Sequence, residues 1–150
     1  NLPRIKTVQN PYSLLNRLFE VNSAEVSKYE NVGLLGYSPL AFGVLTGKFL
    51  TGEPHPKARV NLFPQYKRYN SDQCTEATKL YLEIAKKHGL TLTELAMGFV
   101  LQQPFLTSAI IGATTMEQLK ENIDTIDVVL SKQILAEIDA VQAIIPDPAP

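Results

Sequence analysis

The order of strand-like and helix-like segments constrains this chain more than any other feature. Three short strand-like runs occur, and helix-patterned stretches separate them. Arg4-Ile5-Lys6-Thr7-Val8-Gln9 alternates polar and apolar residues and is rich in β-formers, and Asn10-Pro11 ends it. Val32-Gly33-Leu34-Leu35-Gly36-Tyr37 is apolar on both faces, as a buried parallel strand is, and Ser38-Pro39 stops it. Ser108-Ala109-Ile110-Ile111 is the third run. Strands alternating with helices require parallel pairing through crossovers, so the fold class is α/β.

The helices follow from periodicity and caps. One is expected from about Ser23 to Tyr29. A second begins near Ser71 and carries Ala77, Leu80, Tyr81, Ile84 and Ala85 on one face. Thr91-Leu92-Thr93-Glu94 is a capping box opening a third, whose apolar face is Leu95, Ala96, Phe99 and Val100 and which ends by Pro104. Thr114-Thr115-Met116-Glu117 reads as another box, before a helix expected to bury Met116, Leu119, Ile123 and Ile126. The last helix runs from about Lys132 to Ile144 on Leu135, Ile138 and Val141, and Pro146, Pro148 and Pro150 predict an extended tail. Tyr12 to Arg17 reads as a polar loop. Leu40 to Tyr69 contains Gly43, Gly47, Gly52, Pro54, Pro56 and Pro64 and has no sustained period. A structureless stretch this long is functional or disordered.

Composition excludes several classes of function. The 150 residues suffice for a single domain over 1–150 with a real core. A formal net charge of -1 leaves no basic excess for nucleic acid. No run approaches the ~20 apolar residues of a membrane helix. The single cysteine, Cys74, permits neither an internal disulfide nor a cysteine-based metal site, which fits a reducing cytoplasm. His55 and His88 lack metal-ligand spacing, and Lys86-Lys87-His88-Gly89 reads as a charged helix end with a Gly cap. No metal site is expected. The chain opens on Asn1 rather than Met, without a signal peptide, which suggests an internal start.

Two stretches place backbone N–H groups where an anion could sit. Residues 37–48, Tyr37-Ser38-Pro39-Leu40-Ala41-Phe42-Gly43-Val44-Leu45-Thr46-Gly47-Lys48, follow the C-terminal end of a strand, where α/β folds bind ligands. Glycines admit close backbone approach and Lys48 adds charge, but spacing alone favours a Gly-rich surface turn. Residues 110–122 form a strand, a turn at Gly112 and a capped helix start, which suits a phosphate. Gln118, Glu121 and Asn122 share one helical face; a solvated polar face is an equal reading.

Val8-Gln9-Asn10-Pro11-Tyr12-Ser13-Leu14-Leu15-Asn16-Arg17, the block Gly36 to Lys48 and the block Gly112 to Asn122 together resemble the aldo-keto reductase family, close to its Tas-like subgroup. Ile84-Ala85-Lys86-Lys87-His88-Gly89-Leu90 and Pro148-Ala149-Pro150 also fit, so the resemblance covers essentially the whole chain. It implies a partial (β/α)8 TIM barrel: the last three βα units, strands six to eight, plus a C-terminal helix, where a whole barrel needs about 250 residues. It also implies NADP(H) as cofactor. Gln9 would bond the nicotinamide carboxamide and Tyr37 would stack on the ring. Ser38, Leu40, Gly43, Leu45, Gly47 and Lys48 would wrap the pyrophosphate and ribose. Gly112, Thr114 and Gln118 would approach the adenosine phosphate, and Glu121 and Asn122 the adenine. Some family members place a cation where Thr114 or Gln118 stands.

The family's chemistry uses a tyrosine acid tuned by lysine, aspartate and histidine on strands absent here, so no catalytic residue is assigned and the chain alone is expected to be inactive. A stand-alone nucleotide-binding or protein-interaction module is the competing reading. Three strands leave two open edges, so self-association through an edge or the would-be barrel interior, or pairing with a missing N-terminal half, is expected.

Overall fold

The computed structural model describes residues 2–63, 65 and 67–150. Asn1, the basis of the expected internal start, and Pro64 and Tyr66 of the aperiodic segment lie outside the described residues. One parallel sheet has the order β1 (Thr7–Pro11), β2 (Gly33–Tyr37), β3 (Leu106–Ile110). β1 sits later than expected and contains Pro11. Tyr12 N donates to Tyr37 O at 2.8 Å, so ladder bonding steps past Pro11, whose missing donor faces away from β2. Leu34 and Gly36 of β2 are buried, while Gly33, Leu35 and Tyr37 are only half-buried. One face of the sheet is thus covered rather than the expected two.

β2 and β3 shift register between Leu34 and Leu35: Leu34 pairs with Leu106, but Leu35 with Ser108. Thr107 is the extra residue, and its side chain occupies the space beside Gly33. A Cβ on Gly33 would lie 1.8 Å from Thr107 Oγ1 and 3.0 Å from Thr107 Cβ. Gly33→Ala is expected to cost about 1–3 kcal/mol, seen in urea unfolding, and Thr107→Ala in the same chain to recover most of it. Equal loss in the single and double variants would show that the bulge is not the cause.

The helices are α1 (Ser23–Glu30), α2 (Arg59–Leu62), α3 (Asp72–Lys87), α4 (Leu92–Leu101), α5 (Met116–Asp124) and α6 (Lys132–Ile144). The aperiodic segment is not structureless. It winds through short 3-10 turns at Ala41–Thr46, Lys48–Leu50 and Lys67–Tyr69, besides α2. Ser71 caps α3 by accepting from Cys74 N, and Thr91 and Glu94 complete the expected box on α4. α4 is buried on nearly every side, at Leu92, Thr93 and Leu95 to Val100, and packs on α3, β3, α5 and the Ala41–Thr46 turn. Tyr12, Leu34, Tyr81, Leu95 and Ile138 are fully buried members of the common core.

Two expectations for α5 are corrected. Its cap is Thr115, which accepts from Gln118 N, one residue later than the Thr114–Glu117 pairing. Of its expected buried stripe only Leu119 is half-buried; Met116 is 72% accessible, Ile123 56% and Ile126, past the helix end, 71%. The 3.6-residue period identifies an apolar face but not what covers it. The extended tail is also more than a tail, because Pro148 and Ala149 are buried.

α3 and α6 are joined by Glu137. Lys87 Nζ donates to it at 2.7 Å, and His88 Nε2 lies 3.1 Å away. Lys87 first, and His88 second, pull the carboxyl down to about 2. A depressed folded pKa stabilises above the unfolded value near 4.5 and loses that contribution as pH falls toward about 2. The Tm difference between the wild-type chain and Glu137→Gln should therefore shrink across that window. A difference independent of pH would remove this assignment.

Candidate functional site

A cavity of about 480 Å³ opens beyond the C-terminal ends of β2 and β3. One wall is the segment after β2. Ala41, Phe42 and Gly43 have φ of 48°, 56° and 87°, and Gly47 has 78°. Three consecutive left-handed residues, two with side chains, coil the backbone tightly and hold unfavourable geometry at the rim. Lys48 lies over this coil: a Cβ on Gly43 would stand 2.9 Å from its Nζ. The glycine therefore supplies both the backbone conformation and the room for the ammonium group. Thr46 Oγ1 donates to Gly43 O at 2.9 Å, and His55 Nε2 sits 3.0 Å from Lys48 O, tying the following segment down.

The other wall is Ile110 to Thr114 and the first turns of α5. An added Cβ on Gly112 would meet nothing within 4 Å, so the backbone there is open to a ligand. Thr114 and Gln118 engage each other: Gln118 Oε1 accepts from Thr114 N and Thr114 Oγ1, both at 3.0 Å. The start of α5 favours negative charge. Its backbone N–H, and then Thr115, hold the Glu117 carboxyl below its usual range.

Of the residues singled out in the sequence, Ser38, Leu40, Gly43, Lys48, Gly112, Thr114, Gln118, Glu121 and Asn122 line this cavity. Gln9, Tyr37, Leu45 and Gly47 do not line it. Gln9 is exposed on β1, Tyr37 is half-buried at the end of β2, and Leu45 is fully buried in the core. Gly47 ends the turn before Lys48. Sequence reasoning missed Lys57 and Arg59, which also line the cavity, together with Phe42 and Thr46. The Arg59 guanidinium stands 4.4 Å over the Phe42 ring, and Phe42 meets Tyr69 edge-on at 5.0 Å. Among the described residues, the lining carries three cations (Lys48, Lys57 and Arg59) against one carboxylate, Glu121. That local excess stands out in a chain of net charge -1. It suits an anionic ligand lying between the left-handed coil and the start of α5. Among the described residues, no group of three or more His, Cys, Asp or Glu could hold a metal ion, and no helix is long and apolar enough to cross a membrane.

The aldo/keto reductase family profile matches residues 1–143. The chain belongs to the aldo/keto reductase family. It is 53% identical over 150 residues to the protein Tas of Escherichia coli, a match covering all of this chain and 43% of Tas. It is 40% identical over 123 residues to an aldo-keto reductase of Babesia bovis, covering 78% of this chain and 43% of that one. Its fold is similar to the glycerol dehydrogenase AKR11B4 of Gluconobacter oxydans, with TM-score 0.76 at 23% identity, over 97% of this chain and 44% of that one. The chain thus spans less than half the length of these relatives, and its three parallel strands and helices are similar to part of an aldo/keto reductase barrel.

Proposed function

We propose that this chain is the cofactor-holding part of an NADP(H)-dependent aldo/keto reductase, with β1, β2 and β3 as strands six, seven and eight of the barrel. The observation that carries this reading is the cavity with three cations and one carboxylate between the left-handed coil and the α5 start. NADP(H) would supply or accept a hydride when bound. Lys48, Lys57 and Arg59 neutralise its phosphates; Ser38, Leu40, Gly43, Leu45 and Gly47 shape the backbone around the pyrophosphate and ribose. Gly112, Thr114 and Gln118 meet the adenosine phosphate, with Glu121 and Asn122 at the adenine. Thr114 and Gln118 carry no charge, so selection of the extra phosphate falls to Lys57 and Arg59. Gln9 and Tyr37 hold and stack the nicotinamide outside the cavity proper, where the chain offers one side of a pocket. Affinity is accordingly weaker than micromolar.

Titration of NADPH by its fluorescence tests this. Lys48→Ala and Arg59→Ala should each weaken NADPH binding by about tenfold or more, since each removes a charge-assisted contact. Arg59→Ala should weaken NADH less. Affinities unchanged in both variants would remove the cavity from consideration as the phosphate site.

The outer surfaces point to a covering partner. β1 and β3 each pair only with β2 among the described residues. Apolar side chains are exposed at Val26 and Tyr29 on α1 and at Met116 and Ile123 on α5. These faces receive the rest of a barrel or a second copy of the chain. Light scattering should show self-association of the chain alone. A dilute monomer that binds no apolar dye would sink this part of the proposal.

A further inference from the structure

The segment after α6 is bound like a ligand. Pro146, Pro148 and Pro150 have no N–H, which leaves Asp147 and Ala149 as the only backbone donors of residues 146–150. Ala149 is gripped at both ends of its backbone: its N–H donates to Leu15 O at 3.0 Å, and Asn16 Nδ2 donates to its carbonyl at 2.8 Å. Arg17 N donates to Asp147 Oδ1 at 2.5 Å. Pro148 O accepts from Cys74 Sγ at 3.2 Å and from Ser71 Oγ at 3.5 Å. Asp147 has a φ of 43°, which bends the chain out of α6 and into this groove.

The groove has hydrogen bonds of its own besides those to the strap. Ser13 and Asn16 exchange backbone hydrogen bonds at 3.0 and 3.1 Å, and Tyr81 OH donates to Leu14 O at 3.0 Å. Ser71 is fixed as the α3 cap. Asn16 Oδ1 accepts from Leu18 N at 3.3 Å, and the remaining groups, Leu15 O, Asn16 Nδ2 and Arg17 N, are those that take the strap. Alternate prolines restrict the strap before it docks, so little freedom is lost on binding. Ala149 is fully enclosed, which sets a size limit at that position.

We infer that the groove between residues 13–17 and the start of α3 is a peptide site for an extended acidic–proline–small sequence, filled by Asp147-Pro148-Ala149 of the same chain. The strap closes over Cys74, which is fully buried. It also clamps the loop whose Tyr12 N holds the Tyr37 carbonyl. This inference stands apart from the cofactor assignment, because its test uses no nucleotide.

The test is the reaction rate of Cys74, whose thiol meets Pro148 O of the strap and, at 3.5 Å, Arg68 O, with an aromatic disulfide reagent. Removing residues 146–150 should speed the reaction by about tenfold or more. A synthetic peptide of the Ile144–Pro150 sequence should slow it again in a saturable manner. The same peptide with Leu in place of Ala149 should not. An unchanged rate after deletion, or no protection by the matching peptide, overturns the inference. Should the deletion lose its helical circular dichroism, the intact chain with Asn16→Ala serves instead. It keeps the whole strap and loses one grip, so Cys74 should react faster; a rate equal to wild type overturns the inference as well.

Discussion

No oxidation of NADPH above the buffer rate is expected when the purified chain meets a simple aldehyde. Carbonyl reduction needs a proton donor beside the hydride, poised near the working pH. The titratable groups described in the cavity lining are Lys48, Lys57, Arg59 and Glu121, with no tyrosine or histidine among them. Tyr12, Tyr69 and Tyr81 are buried, and burial above all pushes their phenols upward, opposite to what a general acid needs. Co-expression with the segment of Escherichia coli Tas that the match leaves uncovered should produce turnover. Tyr37→Ala in the joined protein should then lower it without abolishing it, since stacking orients the ring but moves no proton. Turnover by the chain alone, abolished by Tyr37→Phe, would overturn the division of labour proposed for this cavity.

The largest stability effect should come from Arg17→Ala. Arg17 meets both oxygens of Glu20 at 2.7 and 2.8 Å and Asp139 at 2.8 Å, and lies 5.0 Å over the Phe99 ring. Glu20 Oε1 also accepts from the buried Tyr12 hydroxyl at 2.6 Å. Removing the guanidinium leaves a half-buried carboxylate against a buried phenol. A loss of about 3 kcal/mol follows, or a fall in Tm of about 6–12 °C. Arg17→Lys should recover little, because an ammonium group cannot bind Glu20 twice and reach Asp139. Full recovery by lysine would show that charge alone matters there.

The parts that were legible in the sequence are those governed by local rules. α6 has its expected bounds, and the Thr91–Glu94 box is present, because caps and period act within a few residues. β1 was displaced because Pro11 stops a strand only where its missing donor is needed. The α5 stripe differs from expectation because Met116 and Ile123 obey the right period on a face that no described residue covers, and Ile126 lies past the helix end in a 3-10 turn. Lys57 and Arg59 gave no periodic or motif signal, since they reach the cavity through the fold of an aperiodic segment. The three blocks of family resemblance could nominate backbone positions but could not show that Leu45 faces inward to the core.

The near-total burial of α4 has a consequence for engineering. This helix packs against both the left-handed coil and α5, and Gly98 sits against Val128 and Leu130. The two walls of the cavity therefore share one wedge. Resizing a side chain on α4 would change the gap between them without touching any lining residue. Under the proposed cofactor role, nucleotide selectivity would drift through substitutions hidden in the interior, leaving the visible rim of the cavity unaltered.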